Sequence, residues 1–381
     1  MPSTDPPRER VPIDELRDLI RLGEPLPFRL LDASERLLLG AGQVVASERQ
    51  FEQLHERGAW AERDRVQAAR AAAAPEPPRV PTLFDRWEAL VWDVDALLQR
   101  LAQGGAGGSD VVALAARTRT LLDRDPDVAL FLAVRQDDRR FALYALTHAV
   151  HTATIVSLAA RQLGWDATRV QSLACAALTM NAAVQRLQGQ LAEQQDPPTL
   201  RQREAIAQHP AASAQLLRAA GVDDEHWLAA VEQHHEQPGG GGYPKGLVTP
   251  DETAQLLRLA DMLMAKLTPR AHRAALEPRL AMRDVYLADP DKRLAAALVR
   301  VLGVHPPGSI VQLAGGEVGV VIRRAADGRG PWVRVLAGGA ALREVDTAAP
   351  GQAIAQGAPM PAGVSRIYAE QVYGLIAADP D

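Results

Sequence analysis

The chain has 381 residues, more than twice the length of a typical domain of about 150 residues, so we expect two or three domains. Hydrophobic residues make up 47% and charged residues 23%, which is typical of a globular protein and excludes a chain that is disordered throughout. The 42 basic and 47 acidic residues give a formal net charge of −5, which disfavours non-specific binding to DNA or acidic membranes. The single cysteine, Cys175, excludes a disulfide framework and a cysteine-based zinc site.

The first segment, residues 1–67, is predicted to be a small α+β module. Two short apolar runs, PFRLLDAS and RLLLGAGQVV, lie on either side of a turn-like sequence and predict a hairpin. A helix should follow, with Ser47 as its N-cap and Gly58 at its end. Residues 68–81 contain four prolines, which cannot continue a helix, so this segment is predicted to be a Pro/Ala linker. The first residues have no apolar core of signal-peptide length and no run reaches about 18 apolar residues, so we expect a cytoplasmic protein without a membrane partner.

The rest of the chain is predicted to be mainly helical. Residues 82–143 are predicted to be a helical connector, whose first helix runs from about Leu83 to Leu101 and ends at a flexible joint, GGAGGS. Apolar residues recur at helical spacing through 144–303, which predicts an all-α domain. Residues 304–381 have short β-branched runs between glycine turns, which predict a small β unit and a last helix over about 364–378. The predicted fold class is mainly α: a helical bundle with a small α+β N-terminal module and a short β-rich C-terminal tail.

The sharpest local pattern is His234-His235-Glu236, followed by four glycines and Tyr243-Pro244. Successive helical residues point about 100° apart, so two adjacent histidines at a helix end can approach the same metal. The glycines allow positive φ and a close approach of the backbone to a ligand. Adjacent surface histidines and a plain flexible loop would explain the same residues equally well.

Further candidate ligands lie on other predicted helices. Asp261 interrupts an apolar helix face, where a buried carboxylate needs a cation or donors, and pairing with Arg258 or Lys266 is the ordinary explanation. His209 could be a polar cap, and His148 could be an ordinary core or surface histidine. Taken together, five residues offer imidazole and carboxylate donors suited to iron, manganese, zinc or nickel: His148, His209, His234, His235 and Asp261.

Several segments of the sequence resemble the motifs of one protein family. HHEQPGGGGYPKGL resembles the HHExxDGxGYPxGL signature of HD-GYP domains, which are all-α metal-dependent phosphohydrolases that act on cyclic di-GMP. HAVHTATIVSLAARQLG, QREAIAQHPAASAQLL and RLADMLMAKLTPRAHR are similar to the family's metal-ligand segments, so the resemblance covers about residues 144–303. It implies that the five residues above are metal ligands. It also implies an interaction loop for a GGDEF diguanylate-cyclase domain, formed by Gly240, Gly242, Tyr243 and Pro244.

The chain departs from the family pattern at the catalytic motif. The family's AALLHDIGK falls on AALTMNAAV, where Met180 replaces the metal histidine, Asn181 the bridging aspartate and Val184 the lysine. Tyr144 stands where some members have an additional acidic ligand, and Gly239 replaces an aspartate of the glycine loop. A thioether is a poor ligand for hard cations and a neutral amide supplies no bridging charge. We therefore expect no intact catalytic centre and at most one divalent metal, held by the three later histidines, or none.

These departures favour a degenerate HD-GYP domain in bacterial cyclic di-GMP signalling, non-catalytic or weakly active. Such a module would bind cyclic di-GMP or a related cyclic dinucleotide, or a protein, and no DNA. A basic cluster is predicted to hold the phosphates, although a solvated helix face explains it too: Arg258, Lys266, Arg270 and Arg273. One alternative is a metal-dependent phosphodiesterase that hydrolyses cyclic di-GMP at a reduced one-metal site, with Glu236 or Asp261 as general base. Another is an adaptor that binds a GGDEF-type partner without ligand.

Overall fold

The computed structural model describes residues 9–73, 81–135, 143–325, 329–337, 340–361, 364, 366–374 and 376. Half of the predicted linker, residues 74–80, and a stretch near the end of the predicted connector, residues 136–142, lie outside the described residues. The chain divides into two compact units, Met1–Val80 and Pro81–Asp381. None of the helices in the described ranges combines the length and the apolar character that a membrane span requires.

The first unit is a small antiparallel sheet with helices, as its sequence predicts. Its elements are β1 (Arg10–Pro12), a 3-10 helix (Ile13–Leu16), β2 (Leu30–Leu31), β3 (Leu37–Leu39), α1 (Glu48–Glu56), β4 (Trp60–Glu62) and α2 (Arg63–Ala73). The strand order is β1-β4-β2-β3, with Val11 opposite Ala61. The hydroxyl of Ser47 accepts the backbone N–H of Gln50 in the first turn of α1, and Gly58 follows that helix at φ 64°. The predicted hairpin and helix are therefore both present.

The second unit begins with a helical bundle. Its helices are α3 (Leu83–Ala102), α4 (Gly108–Arg124), α5 (Pro126–Val134), α6 (Tyr144–Gln162), α7 (Ala167–Thr179), a 3-10 turn (Ala182–Val184), α8 (Gln185–Glu193), α9 (Leu200–Ala219), α10 (Glu225–Gln233), α11 (Glu252–Leu267), α12 (Pro278–Ala288) and α13 (Arg293–Leu302). Helix α6 lies at the centre, since it packs against α3, α5, α7, α11 and α13 and is buried over most of its length. Small side chains, mostly alanine, allow this close packing on all sides.

The predicted connector is part of the same core. Apolar side chains of α3, α4 and α5 belong to one buried cluster with those of α6 and α11. The glycine joint after α3 is not a flexible joint, as the sequence analysis predicted, but a tight connection. Gly105 donates to the carbonyl of Arg100 at 2.8 Å and Gly108 donates to that of Ala220 at 3.1 Å. The predicted boundaries at 143/144 and 303/304 therefore fall inside one compact unit.

A five-stranded antiparallel sheet follows the bundle and confirms the predicted small β unit. Its strands are β5 (Ile310–Leu313), β6 (Val318–Arg323), β7 (Trp332–Ala337), β8 (Ala340–Asp346) and β9 (Ile354–Gly357), in the order β8-β7-β6-β5-β9. The predicted last helix is shorter than expected, since α14 (Ala369–Tyr373) ends at Gly374, which has φ 74°. Tyr373 packs edge-on against Phe131 at 5.3 Å and donates its hydroxyl to the carbonyl of Ile322.

Candidate metal site

Three histidines meet where α9 and α10 lie side by side. His209 is buried in α9, whereas His234 and His235 follow the last turn of α10. One nitrogen of each ring lies within 4.8 Å of the corresponding nitrogens of the other two. We call these three residues the histidine triad. They are three of the five ligands that the resemblance implies.

The hydrogen bonds of the triad fix the tautomers of two rings. His209 donates from Nδ1 to the carbonyl of Ile206, and His234 donates from Nδ1 to that of Val231, both at 2.6 Å. Because a carbonyl can only accept, the neutral rings each carry a lone pair on Nε2. These two Nε2 atoms lie 3.0 Å apart. Two lone pairs at this distance repel each other. A cation between the two Nε2 atoms, either a proton or a metal ion, would remove this repulsion.

The surroundings oppose a proton at this position. Burial, reinforced by His235, lowers the pKa of His209 to about 4. Burial lowers the pKa of His234 well below its usual value, and the two neighbouring imidazoles lower it further. Backbone acceptors on Nδ1 are the usual way in which a protein orients metal-binding imidazoles. Three nitrogen donors suit a divalent transition metal, so the triad fits a metal ion.

The other two implied ligands form a pair of their own. His148 on α6 donates from Nε2 to Asp261 Oδ1 on α11 at 2.7 Å, and only 1% of His148 is exposed. Burial alone would raise the pKa of Asp261, but the hydrogen bond from His148 and the nearby triad histidines hold it well below its usual range. Asp261 is therefore ionised and paired with His148. Among the described residues, the group of three or more donor atoms that all lie within 4.8 Å of one another is the triad, and it does not include this pair.

An arginine and a tyrosine lie next to this pair. The ring of Tyr144 stacks on that of His148 with centroids 5.2 Å apart. The guanidinium of Arg270 lies 4.5 Å from the centre of the Tyr144 ring and donates a hydrogen bond to its hydroxyl. Arg273 donates to the carbonyl of Ala265. The side chain at the position of the additional acidic ligand is thus neutral, and it holds a predicted phosphate-binding arginine.

The remaining predicted cations also have protein acceptors. Arg258 donates to the carbonyl of Ala288 at 3.0 Å, and its charge contributes to the lowered pKa of His235, whose main cause is burial. Lys266 forms an ion pair with Asp284 at 2.8 Å. The role of these residues in binding a ligand stays a prediction.

The segment in place of the catalytic motif is packed as ordinary core. Met180 is fully buried, and Val184 is buried in the following 3-10 turn. Asn181 is half-buried at the start of that turn. The backbone N–H of Ala183 donates to Ser213 Oγ on α9 at 3.1 Å. The segment thus supplies apolar contacts and a neutral amide, and none of these residues carries a charge.

Residues 132–290 match the family model of the HD domain. This segment is an HD domain. The prediction of an HD-type helical fold is therefore confirmed. A solved structure, that of the HDGYP protein Bd1817 from Bdellovibrio bacteriovorus, is similar over 77% of this chain and 99% of its own, with 15% sequence identity and a TM-score of 0.46. No curated protein matches the chain.

The glycine loop of the HD domain is held by a buried carboxylate. Glu236 is 1% exposed and accepts backbone N–H groups from Lys245 at 2.6 Å, Gly246 at 3.1 Å and Leu247 at 2.9 Å. A carboxylate that accepts three backbone donors is an anchor for the loop, which does not favour Glu236 as general base. Sequence reasoning did not assign it this role. The sequence signal for this anchoring role is an acidic residue shortly before a glycine-rich segment in which the chain reverses direction.

The loop returns close to the triad. The ring of Tyr243 stacks on that of His235 with centroids 4.6 Å apart, and the peptide bond before Pro244 is cis. A Cβ on Gly242 would collide with the backbone of Glu236 and Gln237, so only glycine fits there. The predicted interaction loop is thus a fixed wall beside His235.

Proposed function

We propose that the HD domain is an HD-GYP-type module that binds one divalent metal at the histidine triad and works by binding in cytoplasmic cyclic di-GMP signalling. Its ligand would be cyclic di-GMP or a related cyclic dinucleotide, and it would be non-catalytic or only weakly active. The HHEQPGGGGYPKGL pattern supports the HD-GYP assignment. The two facing lone pairs of His209 and His234 support the metal.

The buried Met180 and the neutral Asn181 carry the proposal of weak or absent catalysis. A bridging carboxylate is what holds two cations close together, and Asn181 has no charge to offer. Asp261, the carboxylate among the five implied ligands, is already hydrogen-bonded to His148. A bound metal would supply positive charge for a phosphate oxygen. The backbone-anchored histidines would orient the metal, and the ring of Tyr243 would exclude water from it.

The metal is tested by elemental analysis of the purified full chain. We expect about one divalent metal per chain, because the triad offers one set of three donors. His234→Ala should reduce the metal content to background. The matched control is His226→Ala, which changes an exposed histidine at the start of α10, the helix that His234 follows. Equal metal content in the two variants would contradict the assignment of the triad.

Ligand binding and chemistry are separated by two further measurements. Isothermal calorimetry with cyclic di-GMP should give saturable binding, while product analysis with added manganese or iron should give near-zero turnover. Met180→His/Asn181→Asp should increase turnover if these two positions account for the loss. Robust, EDTA-sensitive hydrolysis by the native chain would overturn the proposal in favour of a one-metal phosphodiesterase. Metal content without cyclic di-GMP binding would overturn the ligand and favour an adaptor for a GGDEF-type partner.

A further inference from the structure

A second cavity lies apart from the histidine triad. It has a volume of about 360 Å³, opens to solvent, and is lined by residues of α3, α5 and α6 together with residues 366–370. None of the three triad histidines lines it. Its volume falls within the range of about 300–1,000 Å³ that is usual for small-molecule sites. The cavity is thus large enough for a ligand that the metal site does not explain.

The walls of this cavity are unusually aromatic for a chain with only 4% aromatic residues. Six rings line it, of which three lie on α3 and the others on α5, on α6 and directly before α14: Phe84, Trp87, Trp92, Phe131, Tyr144 and Tyr368. Two of them are half exposed, Trp92 at 48% and Tyr368 at 47%. Large rings that stay in water at a cavity offer faces on which a flat, aromatic ligand can stack.

One of the residues that line the cavity also has an unused hydrogen-bond donor. Trp87 is 4% exposed, and its indole Nε1 is buried without an acceptor among the described residues. An indole N–H can only donate, and buried donors nearly always have a partner. By contrast, the indole of Trp227, elsewhere in the same core, donates to Thr179 Oγ1 at 2.9 Å. The Trp87 N–H therefore needs an acceptor atom that the described residues do not supply.

The charges around the cavity favour a neutral ligand. The lining contains two carboxylates and two guanidinium groups: Glu88, Glu370, Arg135 and Arg366. Their formal charges cancel, and the guanidinium of Arg366 stacks on the ring of Tyr368 at 4.7 Å. A cyclic dinucleotide with two phosphates would have no excess of positive charge to meet it here.

We propose that this cavity binds a neutral purine-type base or nucleoside, which stacks on the exposed rings and accepts a hydrogen bond from the indole N–H of Trp87. The ring nitrogens and carbonyl groups of such a compound are suitable acceptors, and its flat face suits the aromatic walls. The ring of Tyr144 separates this ligand from His148. The proposal does not depend on a metal or on the cyclic dinucleotide.

The experiment is a titration of the full chain with 2-aminopurine riboside, followed by tryptophan fluorescence and calorimetry. The native chain should bind one equivalent, and EDTA should leave the affinity unchanged. Trp87→Phe keeps a ring but removes the donor, so we expect about a fivefold loss of affinity, the usual effect of one hydrogen bond. Tyr368→Ala removes a stacking face and should cost about tenfold. The matched control is Trp332→Phe, which removes an indole from the C-terminal sheet and should change nothing.

Circular dichroism establishes that each variant is folded before its affinity is compared. Tyr368 is half exposed, so its removal should leave the core intact. If Trp87→Phe does not fold, the affinity of Tyr368→Ala for the probe tests the proposal. The proposal is overturned by the absence of saturable binding, by unchanged affinity in either folded cavity variant, or by loss of binding in EDTA. The last result would assign the probe to the metal site.

Discussion

Replacing Glu236 by glutamine should destabilise the glycine loop and the helical unit with it. Oε1 of Glu236 accepts the N–H groups of Lys245 and Gly246, and Oε2 accepts that of Leu247. Glutamine keeps one side-chain oxygen, but its NH2 group would point at a backbone N–H, and two donors cannot form a hydrogen bond. One charge-assisted hydrogen bond, which contributes about 1.5–3 kcal/mol, is lost, and the two that remain are weakened. Removing a buried charge recovers part of this, so we expect a net loss of about 2–4 kcal/mol.

Urea unfolding of the full chain, followed by circular dichroism, measures this loss. The matched control is Glu232→Gln near the end of α10, where the carboxylate pairs with Lys245 at 3.0 Å and with Arg218 at 3.7 Å. Such partly exposed ion pairs contribute about 0–1 kcal/mol. A loss for Glu236→Gln no larger than that for Glu232→Gln would refute the reasoning, because the three backbone bonds would then contribute nothing beyond an ordinary surface pair.

Three further predictions concern the loop, the pH and the metal. Gly242→Ala should lower the thermal midpoint and the metal content, because the new Cβ would collide with the backbone. The control is Gly241→Ala, whose Cβ would meet only Gln237 Oε1 at 3.7 Å and which should resemble the native chain. Equal effects of the two substitutions would contradict the collision. Burial lowers the pKa of His151 to about 3, so the unfolded chain binds more protons between about pH 6.5 and 3, and this histidine alone should lower the stability by about 2 kcal/mol from pH 7 to pH 5. Urea titrations at the two pH values check this, since His151→Gln should reduce the native fall by that amount while the buried triad histidines keep the rest of it. EDTA should lower the thermal midpoint of the native chain, since a metal at 100 times its Kd stabilises by about 2.7 kcal/mol, but should leave that of His209→Ala unchanged.

Local signals made the helix ends predictable. The predicted start of α3 at Leu83 is correct because Thr82 and Asp85 form a capping box directly before an apolar repeat. Ser47 marks α1 in the same way. These patterns act over a few residues, so they can be recognised without the tertiary structure.

The GGAGGS segment shows where local signals mislead. Its composition is that of a flexible linker, yet its backbone N–H groups have fixed acceptors and a Cβ on Gly108 would come within 2.9 Å of Val222. Here glycine permits close packing against a segment more than a hundred residues away in the sequence. Only the tertiary contact distinguishes this use of glycine from flexibility.

The grouping of the candidate ligands also depended on tertiary structure. The sequence placed five donors on the right helices, but spacing cannot tell which nitrogen of an imidazole a backbone carbonyl will hold. The carbonyls of Ile206 and Val231 turn two rings toward each other, whereas α11 brings Asp261 to His148. The sequence therefore predicted the donor types, and the packing of four helices divided them into a triad and a pair.

The contact of Tyr373 and Ile376 with the start of α3 bears on how the protein is made. Leu83 donates its N–H to the carbonyl of Ile376, and Tyr373 packs on Phe84 and Phe131. Because synthesis proceeds from the N-terminus, α3 leaves the ribosome long before this partner exists. The bundle can collapse during translation, but its first helix gains these neighbours only when residues 373–376 emerge. A ribosome that stalls shortly before that point would release a chain with an uncovered aromatic surface, which is the kind of surface that chaperones and proteases recognise.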